Sequence, residues 1–140
     1  MKKNTDDLQQ ELQQSPNLEQ FLTDNQTEFL SDSVAQKLSE LCRKKRISKA
    51  ALAKRSCMSE VYLHQIFSGR RNPSRNRLIC LCFGLCATLE ETQGLLRICG
   101  QAQLYPKDKR DAIIQHALLH DTPLMELNDT LFSNDLEPLY

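Results

Sequence analysis

Two serines eleven positions apart, Ser48 and Ser59, constrain this chain more tightly than any other feature. A serine just before a helix accepts a hydrogen bond from an amide that the first turn leaves unpaired, so each can open a helix. The first helix is then Lys49 to Arg55, whose Ala51, Leu52 and Ala53 are small or apolar and let a neighbour approach closely. Only Ser56-Cys57-Met58 separates it from the next cap. The second runs from Glu60 to about Phe67, buries Leu63, Ile66 and Phe67, and stops at Ser68-Gly69, glycine being common just past a helix end.

Two short helices joined by a tight turn have helix-turn-helix spacing. Helical patterns also surround them. Val34, Leu38, Leu41 and Cys42 recur at helical spacing and predict a core helix from Ser33 to about Arg46. Leu78 to Leu85 is apolar enough for a buried helix. Thr88-Leu89-Glu90-Glu91 has the form of a capping box and opens a helix through Leu95, Leu96 and Cys99 to Gly100. Pro106 starts a further helix with Ala112, Ile113, Ile114, Ala117 and Leu118, and Thr122-Pro123 starts another with Leu124, Leu127 and Leu131. Residues 1–32 form an acidic, Gln-rich arm in which Ser15 and Pro16 open a short helix. The first dozen residues of that arm have too few apolar side chains to offset the entropy of ordering. The expected fold is all-α: an N-terminal helical arm (1–32), a five-helix domain (33–100) and two extra C-terminal helices (101–140).

Composition agrees, with 40% hydrophobic and 26% charged residues but only four Gly and five Pro. The formal net charge of zero is unevenly made up. Met1 to Glu40 has three bases against eight acids, a net −5; Leu41 to Arg77 has eleven against one, a net +10; Leu78 to Tyr140 has four against nine, again −5. No stretch has the roughly 18 to 20 apolar residues of a membrane span, and Met1-Lys2-Lys3 leads into Asn4-Thr5-Asp6-Asp7 rather than an apolar signal core. A cytoplasmic protein without a membrane partner is expected. Its six cysteines, Cys42, Cys57, Cys80, Cys82, Cys86 and Cys99, are then reduced. Cys82-x₃-Cys86 and His116-x₃-His120 are separated by 29 residues, against the roughly 12 to 15 of a zinc finger, so no metal is expected. Cys80, Cys82 and Cys86 lie in an apolar run, where free cysteine acts as a small hydrophobe.

The order and spacing from Val34 to Gly100 resemble the DNA-binding domain of the phage-repressor and Cro family, the xenobiotic-response-element class of helix-turn-helix regulators. The matching stretches are Ile47-Ser48-Lys49-Ala50-Ala51-Leu52-Ala53, Ser59 through Gly69, Arg71-Asn72-Pro73-Ser74 and Leu85-Cys86-Ala87-Thr88-Leu89-Glu90-Glu91. The resemblance implies a partner, double-stranded DNA, with the third of five helices in the major groove. It puts Ser59, Glu60, Val61 and Gln65 against base edges, with Tyr62 and His64 beside them. Gln can pair bidentately with adenine, Glu can accept from cytosine N4, and Val can touch a thymine methyl. Phosphate contacts fall to Lys49 at a helix start, to Arg70, Arg71, Ser74, Arg75 and Arg77 in and after the basic loop, and to Arg43 and Lys44, with Lys45 and Arg46 adding to the field. No cofactor and no catalytic residue is implied.

Two departures from the family pattern carry expectations of their own. Cys57 and Cys86 stand where the family usually has glycine, and a left-handed backbone costs a cysteine something, so the turn should be slightly remodelled. The recognition helix carries no Lys or Arg, and specificity is expected to lean on DNA shape and on a second protomer. The apolar stripes of the last two helices can be buried back on the domain or in a two-fold homodimer. A protein partner held through those helices, on a helix-turn-helix scaffold, is the alternative function. An enzyme is not expected, since no Gly-x-Ser-x-Gly, phosphate loop, metalloprotease helix or Gly-rich dinucleotide turn occurs.

Overall fold

Helices in this chain begin where a side chain can take up a free amide. The structure, a computed structural model, describes residues 3–25 and 34–140, and among the described residues there are nine α-helices and no strand. Seven of the nine open on a side-chain oxygen of Asn4, Asn17, Ser48, Ser59, Ser74, Thr88 or Asp108 that accepts from a first-turn amide. The fold class is all-α, as the sequence predicts. The chain divides into two units, Met1–Asp32 and Ser33–Tyr140.

The first unit holds α1 (Thr5–Gln14) and α2 (Leu18–Asp24). α1 forms although none of its side chains is buried, contrary to the expectation that the first dozen residues stay unordered. Its start is favourable: Asn4 caps it, and Asp6 and Asp7 sit at the positive end of the helix dipole. A polar cluster adds to this. Lys3 Nζ donates to Glu11 Oε2 and to Asn25 Oδ1, each at 2.6 Å, and Asn25 Nδ2 donates to Glu11 Oε1 at 2.8 Å. α2 starts at Leu18 because Asn17 is the cap. Ser15, expected to cap, instead donates its hydroxyl to the Asn17 carbonyl at 3.1 Å, which leaves Pro16 outside the helix. The predicted helix start at Ser33 lies outside the described residues.

The second unit holds α3 (Val34–Lys45), α4 (Lys49–Arg55), α5 (Glu60–Phe67), α6 (Arg75–Gly84), α7 (Leu89–Ile98), α8 (Lys109–Leu119) and α9 (Leu124–Ser133). α4 and α5 keep their predicted bounds, each fixed by its serine. α6 begins three residues before Leu78 because Ser74 Oγ accepts from the Arg77 amide at 3.2 Å and draws Arg75-Asn76-Arg77 into the first turn. α8 begins at Lys109, not Pro106, because Asp108 Oδ1 accepts from the Asp111 amide at 2.9 Å. The capping box forms as predicted, with Thr88 N to Glu91 Oε1 at 2.9 Å and Glu91 N to Thr88 Oγ1 at 3.1 Å.

One core serves these seven helices. Leu38, Leu52, Leu63, Ile66, Leu81 and Leu95 are fully buried, and so are Ile114, Leu127 and Leu131 from α8 and α9. The apolar stripes of the last two helices are therefore covered within the unit. A bidentate ion pair reinforces that packing: Arg75 at the start of α6 donates through Nη1 and Nη2 to Asp111 of α8 at 3.2 and 3.0 Å.

The helices of the second unit end by one device. Five non-glycine residues, Arg46, Cys57, Cys86, Asp121 and Asp135, take left-handed backbone with φ of 52 to 58°, as Gly69 and Gly100 do at φ 79 and 68°. At Cys57 the next amide, Met58 N, reaches back to Ala53 O at 3.1 Å, and at Cys86 the Ala87 amide reaches Cys82 O at 2.9 Å. These are the long return bonds of a Schellman ending. The expected remodelling of the turn does not occur: Cys57 adopts the glycine-like conformation itself, and the return bond offsets its steric cost of about 1–2 kcal/mol.

Candidate nucleic-acid interface

α5 is short and two-faced. Leu63 and Ile66 are buried, whereas Ser59, Glu60, Val61 and His64 are exposed, Val61 by 69%. Ser59 spends one lone pair on the Tyr62 amide at 3.1 Å and so serves as cap as well as surface group. Tyr62 and Gln65 are half-buried because arginines lie on them. The guanidinium carbons of Arg71 and Arg77 stand 5.1 and 5.5 Å from the centre of the Tyr62 ring, within the range of cation–π attraction. Arg71 Nε also donates to Gln65 Oε1 at 3.0 Å.

Further cations gather where α3 ends and α4 begins. Arg43, Arg46 and Lys49 line a shallow cavity of about 440 Å³ with Ser48, Ile47 and Phe67, the last residue of α5. Lys49 Nζ lies 5.0 Å from the Phe67 ring centre. Arg70 and Ser74 are exposed in the loop between α5 and α6, and Ser74 caps a ten-residue helix whose first turn contains Arg77.

One of the expected phosphate ligands, Arg75, is drawn away from this face, whereas Lys44 stays 72% exposed. Arg75 turns its guanidinium inward, to Asp111 and to the carbonyls of Ala102 and Gln103 at 2.8 and 3.3 Å. Lys44 and Lys45 meet Glu91 at 3.4 and 2.8 Å, near the capping box. Burial alone would raise the Glu91 carboxyl, but Lys45, the Thr88 amide and Lys44 outweigh it and hold it down at about 2. These links join residues 36 and about 46 positions apart, which local patterns do not signal. Arg46 and Tyr62 are the residues whose importance the sequence understated. Arg46 owes its place to its left-handed helix ending, and Tyr62 serves as a platform for two arginines.

Cys42, Cys80 and Cys82 are buried, Cys57 and Cys99 are half-buried, and Cys86, expected to act as a small hydrophobe, is exposed. Burial pushes Cys80 and Cys82 up to about 12 and Cys99 up to about 11. Among the described residues no group of three or more His, Cys, Asp or Glu side chains is arranged to hold a metal ion. Nor is any helix among them long and apolar enough to cross a membrane.

Residues 33–95 match the family model of a helix-turn-helix domain. The match spans α3 to α6 and most of α7, stops short of α8 and α9, and supports a helix-turn-helix DNA-binding family for this segment. Neither the curated proteins nor the solved structures contain a match to the chain.

Proposed function

We propose that this chain is a DNA-binding transcriptional regulator of the phage-repressor and Cro type. α5 lies in the major groove, with Ser59, Glu60, Val61, Tyr62, His64 and Gln65 toward the bases. Arg43, Lys49, Arg70, Ser74 and Arg77 contact phosphates, and the amides at the α6 N-terminus add their partial charge. One observation carries the reading: the exposed side of α5 is bordered by cations that touch its own Tyr62, Gln65 and Phe67. Arg75 is engaged by an acid and serves folding first. Met125 and Phe132, seven positions apart on α9 and 66% and 74% exposed, offer a second copy of the chain an apolar contact. Such a dimer reads palindromic sites, and sites enriched from a random library that lack a two-fold repeat would contradict it.

The test is fluorescence anisotropy on random-sequence duplex DNA across a salt series. The log-log slope should be near −0.9 per neutralised phosphate, so the four cations Arg43, Lys49, Arg70 and Arg77 give about −3.6. Absence of binding at about 50 mM salt would overturn the reading and favour a protein-interaction module on the same scaffold.

A further inference from the structure

α5 contains no Lys or Arg, yet the commonest specific contact to DNA is an arginine fork on guanine O6 and N7. The structure supplies one from outside the helix. Arg70 N and Arg71 N both donate to Gln65 O, at 3.0 and 3.2 Å, which folds the loop back over the end of α5. The Arg71 side chain then lies against Tyr62 and donates its Nε–H to Gln65 Oε1. Among the described residues it has no carboxylate partner, in contrast to Arg75. Its Nη groups keep their donors for a ligand.

This bracket changes what Gln65 can read. Pairing with adenine needs the amide as both acceptor and donor, N6–H to the oxygen and the NH₂ to N7. Here one lone pair of the oxygen is taken by an arginine N–H, so donors predominate on the open side of the pair: the Gln65 NH₂ and the Arg71 Nη groups. Donors in a fixed plane match guanine, whose major-groove edge has two acceptors. A fixed fork can also hold a phosphate, but a phosphate is the same at every step of the duplex, whereas a base contact depends on where the fork is aimed, here beside the exposed face of α5. We infer that Arg71, held in place by Gln65 and Tyr62, reads a guanine in the major groove. The inference rests on the DNA-binding reading proposed above.

Enrichment of bound duplexes from a random library, with the wild type and the variants Arg71→Ala, Arg71→Lys and Gln65→Ala, tests it. The wild type should enrich a fixed guanine. Arg71→Ala should lose about 5- to 150-fold in affinity for that site, leaving the salt slope unchanged. Arg71→Lys, which keeps the charge but not the fork, should lose the guanine as well, and Gln65→Ala should weaken it with every charge in place. Uniform weakening of Arg71→Ala on all duplexes, with a slope shallower by about 0.9, would make Arg71 a phosphate ligand and overturn the inference alone. Enrichment of sites without a fixed guanine would overturn it too. Failure of the wild type to bind any duplex would overturn the DNA-binding reading and this inference together.

Discussion

Asp111→Ala is expected to lower the unfolding free energy by about 3 kcal/mol, at the low end of the 3–5 kcal/mol found when one partner of a buried ion pair is removed. The low end applies because the Arg75 and Asp111 side chains are 23% and 10% exposed and water reaches the pair. Asp111 Oδ2 also accepts from the Tyr105 amide at 3.0 Å, a bond that alanine removes as well. Asp111→Asn keeps the shape and an acceptor and should cost roughly half as much. Urea denaturation measures both. A loss below about 0.5 kcal/mol would mean that the pair behaves like a surface salt bridge and does not fasten α8 to α6. Arg75→Ala should likewise cost stability while leaving the salt slope of DNA binding unchanged.

The second large effect concerns Gly84, near the end of α6. A Cβ there would overlap Ser56 Oγ and would lie 2.9 Å from Leu52 Cδ1 and 3.3 Å from Leu52 O. The last of these is backbone and cannot turn aside, so α4 and α6 would be pushed apart. Within a helix, Gly→Ala ordinarily stabilises by about 0.5–1 kcal/mol. Overpacking of about 1–3 kcal/mol should reverse the sign for Gly84→Ala, giving a net loss of about 2 kcal/mol. Gly94→Ala in α7, where nothing lies within 4 Å of the added carbon, is the control and should stabilise. Ser56 Oγ is buried with no hydrogen-bond partner, so Ser56→Ala should be nearly neutral alone and should recover part of the Gly84→Ala loss. Because α4 packs on α5, the helix proposed to read DNA, Gly84→Ala should weaken DNA binding beyond what its unfolded fraction explains. Equal stability of the Gly84→Ala and Gly94→Ala proteins would contradict the close α4–α6 approach.

What the sequence revealed and what it hid follow a physical division. Caps are local, and Ser48, Ser59 and Thr88 therefore announced α4, α5 and α7 without help from the rest of the chain. Where two capping residues competed, as Ser15 with Asn17, the choice depended on where the hydroxyl pointed, which composition does not reveal. Ser74 reads in the sequence as a phosphate ligand but not as a cap, because the residues it draws into a helix, Arg75-Asn76-Arg77, are polar and read as loop. The charge excess between Leu41 and Arg77 located the basic face, but charge counting treats every arginine alike. Only the folded chain separates Arg75, turned inward to an acid 36 residues away, from Arg71, laid on α5 six residues behind it. The left-handed cysteines are a further case: sequence marked Cys57 as anomalous, and the structure shows the backbone accepting it because a return hydrogen bond closes the turn.

The face formed by α5, the start of α4 and the start of α6 is proposed to bind duplex DNA. Amide chemical shifts, followed as a mixed-sequence duplex is titrated into the protein at about 50 mM salt, test it most directly. The largest changes should fall on Lys49, on Ser59 to Gln65 and on Arg70 to Arg77, and should fade as salt is raised. Changes confined to α8 and α9, or none at any residue, would contradict it.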